Sequence, residues 1–286
     1  MKRFDLRNAE EFFFKSLMLT TTVLVACCAL FIVGVITQKG LSSLSFEMLT
    51  QTPKGGFYLG KEGGILNAIV GSLLLAGGAT AIALSISIPI AIYLNVYTKK
   101  NSWLAHLTRT SLDVMCGIPS IVYGAFGFTL MLTLGLRTSL LAGMITVACL
   151  ILPILCRGID ESLRMTPKEM IHASYSLGAT RSETALKVVL RQGFPGLLSA
   201  VLMAFGRGIG DSASVLFTAG FSDAVPTSLS QPVATLPLAI FFQLGTPFPE
   251  VRSRAYASAF VLTVMILFIS LLARLLVRKL HRHVIK

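Results

Sequence analysis

Six stretches of this chain are apolar almost without interruption, at Ser16–Ile36, Leu66–Val96, Val114–Leu134, Thr138–Cys156, Leu197–Phe221 and Ala255–Leu276. A helix needs roughly 20 such residues to cross a hydrocarbon layer about 30 Å thick. No backbone N–H or C=O can go without a partner there, a condition that a single segment meets only as a helix. The pattern therefore predicts an all-α integral membrane protein with six transmembrane helices. The second stretch is longer than one crossing requires, and Pro89 with the Gly77-Gly78 pair predicts a tilted or kinked helix.

Hydrophobic residues make up 54% of the 286 and charged residues 13%, with a mean hydropathy of +0.76, which excludes a water-soluble domain of ordinary composition. The formal net charge of +12 does not indicate nucleic-acid binding, because the basic residues lie between apolar stretches and not on one soluble face. Assigned to alternate sides of the membrane, eighteen Lys and Arg fall on one side and six on the other, with Arg207 inside a span. The positive-inside rule places the richer side, and with it both termini, in the cytoplasm. Residues 1–15 then form a cytoplasmic N-terminus, 16–62 the first span with an external loop, 63–276 a core of five spans, and 277–286 a basic cytoplasmic tail. Glu10 and Glu11 before a span too long for an h-region argue against a cleaved signal peptide. Cys27, Cys28, Cys116, Cys149 and Cys156 have neither metal-ligand spacing nor the look of a disulfide framework; they read as small packing residues, and no metal site is expected.

An external loop at about 222–254 is dense in proline, at Pro226, Pro232, Pro237, Pro247 and Pro249. Its apolar run ATLPLAIFFQLG is too short to cross and is split by Pro237, so it is expected along the membrane surface or against the bundle. The cytoplasmic connection at about 157–195 carries stronger local signals. Thr166-Pro167-Lys168-Glu169 reads as a capping box opening a helix, Gly178 as its left-handed C-cap, and Thr180 with Glu183 as a second box. The second helix is expected to end near Arg191, before Gly193 and Pro195. The result is a cytoplasmic helix-turn-helix whose apolar Met170, Ile171, Tyr175 and Leu177 call for a partner surface.

Two further motifs lie within spans. CGIPSIVYG, with Gly117, Pro119, Ser120, Tyr123 and Gly124, reads as a helix start whose glycines permit close helix approach. AFGRGIGDSA puts Arg207 and Asp211 in the fifth stretch among Gly206, Gly208 and Gly210. Each charge costs at least about 2.5–3.5 kcal/mol at the centre of a bilayer, so neither is expected to face lipid. On a continuous helix they share one face at i and i+4, which predicts an intrahelical ion pair. Arginine stays protonated and offers a planar fork of donors that suits a tetrahedral oxyanion. The pair therefore reads either as an anion-handling element of a transport path or as a neutralised pair in helix packing.

The run HASYSLGATRSETALKVVLRQGFPGLL resembles the cytoplasmic EAA loop of ABC-importer permeases, matching at Ala173, Ser174, Leu177, Gly178, Ala179 and on to Pro195. It departs at His172, where the family usually has glutamate, and at Arg191, where a proline often follows the leucine. DVMCGIPSIVYGAFG is similar to the third-span run of the phosphate-importer permeases, and GRGIGDSA to their Arg-x-x-Gly-Glu-Thr-Ala, with Asp211 in place of the glutamate. The resemblance implies a type I ABC-importer permease bundle of the bacterial inner membrane. It implies a coupling helix that includes Met170, Ile171, His172, Ala173, Ser174, Leu177, Gly178 and Ala179, and a transport role for Arg207 and Asp211. It further implies a second homologous permease, two ATP-binding subunits and an external phosphate-binding protein. This chain has no Gly-x-x-x-x-Gly-Lys-Ser/Thr loop, so no cofactor is expected on it, and ATP and magnesium are expected in the partner subunits. The alternatives are a permease for phosphonate, sulfate or molybdate and an ATP-independent transporter. A membrane enzyme is disfavoured because His106, His172, His281 and His283 are scattered.

Overall fold

The computed structural model describes residues 2–54, 62–99 and 102–280. Part of the external loop of the first domain and the end of the predicted basic tail, with His281 and His283, lie outside the described residues. In chain order the elements are α1 (Lys2–Ser42), α2 (Phe46–Thr50), β1 (Pro53–Lys54), β2 (Glu62–Gly63), α3 (Leu66–Ile92), α4 (Trp103–Cys116), α5 (Ser120–Thr133), α6 (Leu140–Arg164), α7 (Lys168–Ser176), α8 (Arg181–Glu183), α9 (Leu190–Ile209), α10 (Leu236–Leu244) and α11 (Pro249–Leu280). The two short strands pair antiparallel. Among the described residues five helices are long and apolar enough to cross a membrane, Glu10–Ser42, Leu66–Tyr97, Leu140–Arg164, Arg181–Ile209 and Pro249–Leu275, and the bent pair of α4 and α5 makes a sixth if it is counted as one span.

α6 is the axis of the bundle. Val147, Ile151, Leu155 and Ile159 repeat every four residues and are fully buried, which is the stripe a helix presents when one face packs along its length. α3 and α9 flank it. Small residues set their distance: a Cβ on Gly158 would lie 2.6 Å from the Ala200 Cβ of α9, and one on Gly143 would lie 2.9 Å from Leu75 of α3. α1 stands apart and meets the bundle near its end, where Lys39 lies over the ring of Tyr256 at 4.9 Å. α3 continues through a π-helical stretch, Tyr93–Tyr97. Pro89 lies inside α3 one turn earlier, and the helix runs on through it to Ile92 before the π-helical stretch begins.

The third apolar stretch is not one helix. α4 and α5 meet at a bend of 100°, because Gly117 closes α4 and Pro119, at φ −59° and ψ 141°, is the N-cap of α5. The Tyr123 hydroxyl of α5 donates back to the Met115 carbonyl of α4 at 2.9 Å and ties the corner. Pro119 and Ser120 thus open a helix, as the sequence predicts. Gly117 serves differently from the expectation: its only near neighbour is the Val114 carbonyl of its own helix, so it terminates α4 and brings no other helix close.

The fifth span also differs. It runs from Arg181 to Ile209, starting earlier and stopping earlier than Leu197–Phe221. Gly193 and Pro195 do not end it: both are buried inside the helix, and a Cβ on Gly193 would meet Leu163 at the end of α6 at 2.6 Å. A π-helical stretch, Thr184–Val189, lies within this run. Beyond Ile209 the chain is irregular until α10, yet Ser214, Val215, Thr218, Ala219, Val233 and Ala234 are fully buried. This wedge enters the bundle and finds partners for its backbone. Its Thr218, Gln231 and Leu229 carbonyls accept from the Ser139, Leu140 and Leu141 N–H groups at the start of α6, at 2.8–3.0 Å. The Asn67 amide donates to the Ser222 carbonyl, and the Ser72 hydroxyl accepts from the Leu236 N–H that opens α10. α10 packs on α3 and α11 with Leu236, Leu238 and Ala239 buried, as expected for a run too short to cross.

Of the cysteines only Cys156 packs inside, with its thiol 3.2 Å from the Ser87 hydroxyl. Cys27, Cys28, Cys116 and Cys149 lie on outer faces, so the packing role holds for one of the five. Apolar context along the chain does not say which side of a helix faces the core.

The wedge needs room at Gly124, where a Cβ would come 2.8 Å from the Ala213 carbonyl and 2.9 Å from that of Ser214. Gly124→Ala is expected to destabilise the protein by about 1–3 kcal/mol through overpacking. Gly206→Ala, with nothing within 4 Å of the added carbon, is expected to be neutral or stabilising. Thermal unfolding of both variants in detergent reads the difference.

Candidate functional site

Arg207 and Asp211 lie at the exit of α9, and the predicted ion pair between them does not form. The helix closes at Ile209 with Gly210 as its cap, so the two residues no longer share a helix face. Asp211 accepts the Ser214 N–H through Oδ2 at 2.8 Å. A short carboxylate at a helix end captures a nearby backbone N–H more readily than it reaches back one turn. Arg207 makes no hydrogen bond or ion pair with any described residue and is exposed in the single chain. Its face of α9 is open along its length, with Met203 70% exposed, Ser199 and Gly210 exposed, and free space beside Gly206. The opposite face, with Leu197, Ala200, Ala204 and Gly208, is buried.

Asp211 also links this end to the broken span. The Ser214 it caps is the residue that Gly124 of α5 allows close, and the Phe217 ring packs on Phe128 of α5 with centroids 5.9 Å apart. Gly124 thus brings α5 against the wedge, while Pro119 opens α5 and Tyr123 ties it to α4 at the corner. An exposed arginine whose neighbouring aspartate is bonded to a backbone N–H keeps its own donors for an anion.

The second candidate region is the hairpin of α7 and α8. The left-handed cap is present: Gly178 has φ +82°, its N–H donates to the Tyr175 carbonyl, and the Ala179 N–H donates to Ser174 at 3.2 Å. These are the two bonds of a Schellman ending. The second capping box forms as predicted, with Thr180 and Glu183 exchanging hydrogen bonds at 3.3 and 3.1 Å and Lys187 on the Glu183 carboxylate at 3.2 Å. The first box does not form. Pro167, at ψ 134°, is itself the N-cap of α7 and carries no cap oxygen. The residue three places inside is then Met170, which cannot complete a box. Thr166 turns inward, and its buried hydroxyl has no partner among the described residues.

The residues expected on the docking element separate into two sets. Ile171 packs against the bundle core, Ser174 hydrogen-bonds Thr184 at 2.9 Å, and Met170 and Ala179 are half-buried. His172, Ala173 and Gly178 are exposed, and Leu177 is 88% exposed with Tyr175 beside it. The first set seats α7 on the bundle, and the second leaves an apolar tip with nothing against it.

Sequence reading missed a third cluster. Asp160 of α6 is fully buried, and its carboxylate accepts from Arg109 of α4 through Nε at 2.8 Å and Nη2 at 2.9 Å. The Asn95 amide, in the π-helical end of α3, donates to the same carboxylate at 2.8 Å. A second bridge runs between the same helices with the signs reversed, from Arg157 of α6 to Asp113 of α4 at 2.8 Å. The available signal was the i, i+4 spacing of Arg109 with Asp113 and the i, i+3 spacing of Arg157 with Asp160, which puts opposite charges one turn apart on each helix.

Residues 87–286 match the family model for binding-protein-dependent transport system inner membrane components. A phosphate transport system permease protein PstA of Yersinia pestis is 34% identical over 84% of this chain and 81% of its own length. The PstA of Haemophilus influenzae is 30% identical over 85% of each, and PstA 1 of Mycobacterium tuberculosis is 32% identical over 75% of this chain and 70% of its own. Among solved structures, an inward-facing MetNI methionine ABC transporter superposes with a TM-score of 0.61 at 20% identity, covering 76% of this chain and 95% of that one. An amino acid ABC transporter with histidines gives 0.57 at 18%, covering 75% and 93%. The shared fold is thus that of ABC-importer permeases, and the family match spans well over half of the residues. The chain belongs to the binding-protein-dependent transport system inner membrane components.

Proposed function

We propose that this chain is one membrane subunit of an ATP-driven importer of inorganic phosphate, that Arg207 and Asp211 line its translocation path, and that α7 docks on an ATP-hydrolysing subunit. The reading is carried by the meeting of two facts. Relatives named as phosphate transport permeases match most of the chain, and its α9 ends in an exposed arginine that no carboxylate among the described residues neutralises. The open stripe of α9 is the side on which a second, similar permease closes the path. Arg207 supplies a permanent cation with forked donors for a tetrahedral anion. Asp211, tied to Ser214, limits how tightly the anion is held, since a path has to release what it admits.

The apolar tip at Tyr175 and Leu177, held rigid by the Gly178 turn and the Thr180–Glu183 box, is the docking point for the ATPase. ATP and magnesium bind on those partners, two per importer. Substrate is delivered by an external phosphate-binding protein on the face of the α2 and α10 loops. Charge asymmetry puts both termini in the cytoplasm of a bacterium, with the chain in its inner membrane. Alternating access then follows from rigid-body movement of α7 with nucleotide state.

Arg207→Gln is expected to lower phosphate uptake by roughly 10- to 100-fold, as loss of a charge-assisted contact implies, with the assembled complex recovered in normal amount. Uptake unchanged in vesicles would remove Arg207 from the path, and loss of assembly would make it a packing residue. Leu177→Arg introduces no backbone strain and faces outward. It is expected to abolish co-purification of the ATPase subunit while membrane insertion is unaffected.

A further inference from the structure

The buried Asp160 is an expensive way to hold two helices together, and its surroundings indicate what it is for. It lies one turn before the end of α6, the helix that turns directly into α7. Its bidentate partner, Arg109, lies on α4, which turns through the Pro119 corner into α5. From that corner the contacts continue without a gap: Tyr123 to the Met115 carbonyl, Gly124 against Ser214, and Ser214 to the Asp211 carboxylate. On the other side, Ile171 of α7 packs against the core, and Ser174 is hydrogen-bonded to Thr184 at the start of the span that carries Arg207.

From this arrangement we infer that Arg109, Asp160 and Asn95 form a latch by which displacement of α7 reaches Asp211 through α4 and α5. The three are positioning residues, and none of them contacts the transported ion. A closely bound carboxylate between three helices resists sliding in a way that apolar contacts do not, because its donors are fixed in direction as well as distance. The crossed bridge between Arg157 and Asp113 keeps α4 from rotating about its own axis while the latch is closed. Since α4 meets α5 at 100°, a displacement along α6 becomes a lateral displacement of the α5 corner, which is where the wedge rests. Transmission and mere stability separate in a variant that stays folded but loses the link.

The inference rests on the importer reading. Removing one partner leaves a buried charge unpaired and disturbs folding for a trivial reason, whereas removing both spares the protein that penalty. The variant of choice is therefore Arg109→Ala combined with Asp160→Asn, which keeps the Asn95 contact and the Arg157–Asp113 bridge and breaks only the Arg109–Asp160 link between α4 and α6. It is reconstituted in vesicles with the partner permease, ATPase subunits and phosphate-binding protein, and phosphate imported and ATP hydrolysed are measured together. The expected result is a complex assembled in wild-type amount that hydrolyses ATP but imports about tenfold less phosphate per ATP, the scale of a coupling free energy between sites. Three results overturn the latch: wild-type stoichiometry in the double variant, a parallel fall of import and hydrolysis, and failure of the double variant to assemble. Absence of phosphate import by the wild-type complex would instead overturn the importer reading.

Discussion

Every backbone polar group inside an apolar bundle needs a partner from the protein, and the irregular segment after α9 makes this the constraint on which the rest of the fold depends. A stretch of chain outside any helix sits among α3, α5 and α6 because those helices lend it donors and acceptors: the Ser139 N–H that caps α6 and the first two N–H groups of α6, the Asn67 amide and the Ser72 hydroxyl. The exchange is mutual. The start of α6 would otherwise leave its N–H groups without partners, and the segment satisfies them with its own carbonyls. Irregular backbone is tolerated at such depth only where protein or a cavity surrounds it. The placement of α5 follows from this arrangement, because Gly124 lets it lie against Ser214.

Charge is handled in two opposite ways in the same molecule. Asp160 is surrounded by donors from two other helices, so its charge is fully used within the chain. Arg207 has no such partner among the described residues and lies on an open stripe. Removing a buried carboxylate's partner costs about 3–5 kcal/mol in comparable pairs, which makes the α4–α6 contact hard to separate. An arginine left without a partner keeps its donors available to something that comes and goes. One arrangement suits a fixed mechanical joint and the other a transient ligand.

The hairpin at α7 and α8 was legible because its signals are local. Gly178 is required where φ is positive, and Thr180 with Glu183 closes a ring of bonds within four residues, so residue type decides the outcome. Thr166 shows where that logic fails. The same pattern of threonine, proline and glutamate is present, but packing under the end of α6 draws Thr166 inward and shifts the cap to Pro167. Gly193 failed as a stop signal for a related reason, since close packing against Leu163 and Ser162 holds the helix through it.

Hydropathy and charge spacing determined that the chain crosses a membrane about six times and carries a capped hairpin, because lipid exposure and capping act on neighbours in sequence. Tertiary structure alone decided that the third stretch is a corner, that the fifth ends at Ile209, that Arg207 and Asp211 part company, and that Arg109 joins Asp160 across 51 residues. A helix continues or stops according to what its backbone and charges find in other segments. No periodicity along the chain records where those segments lie.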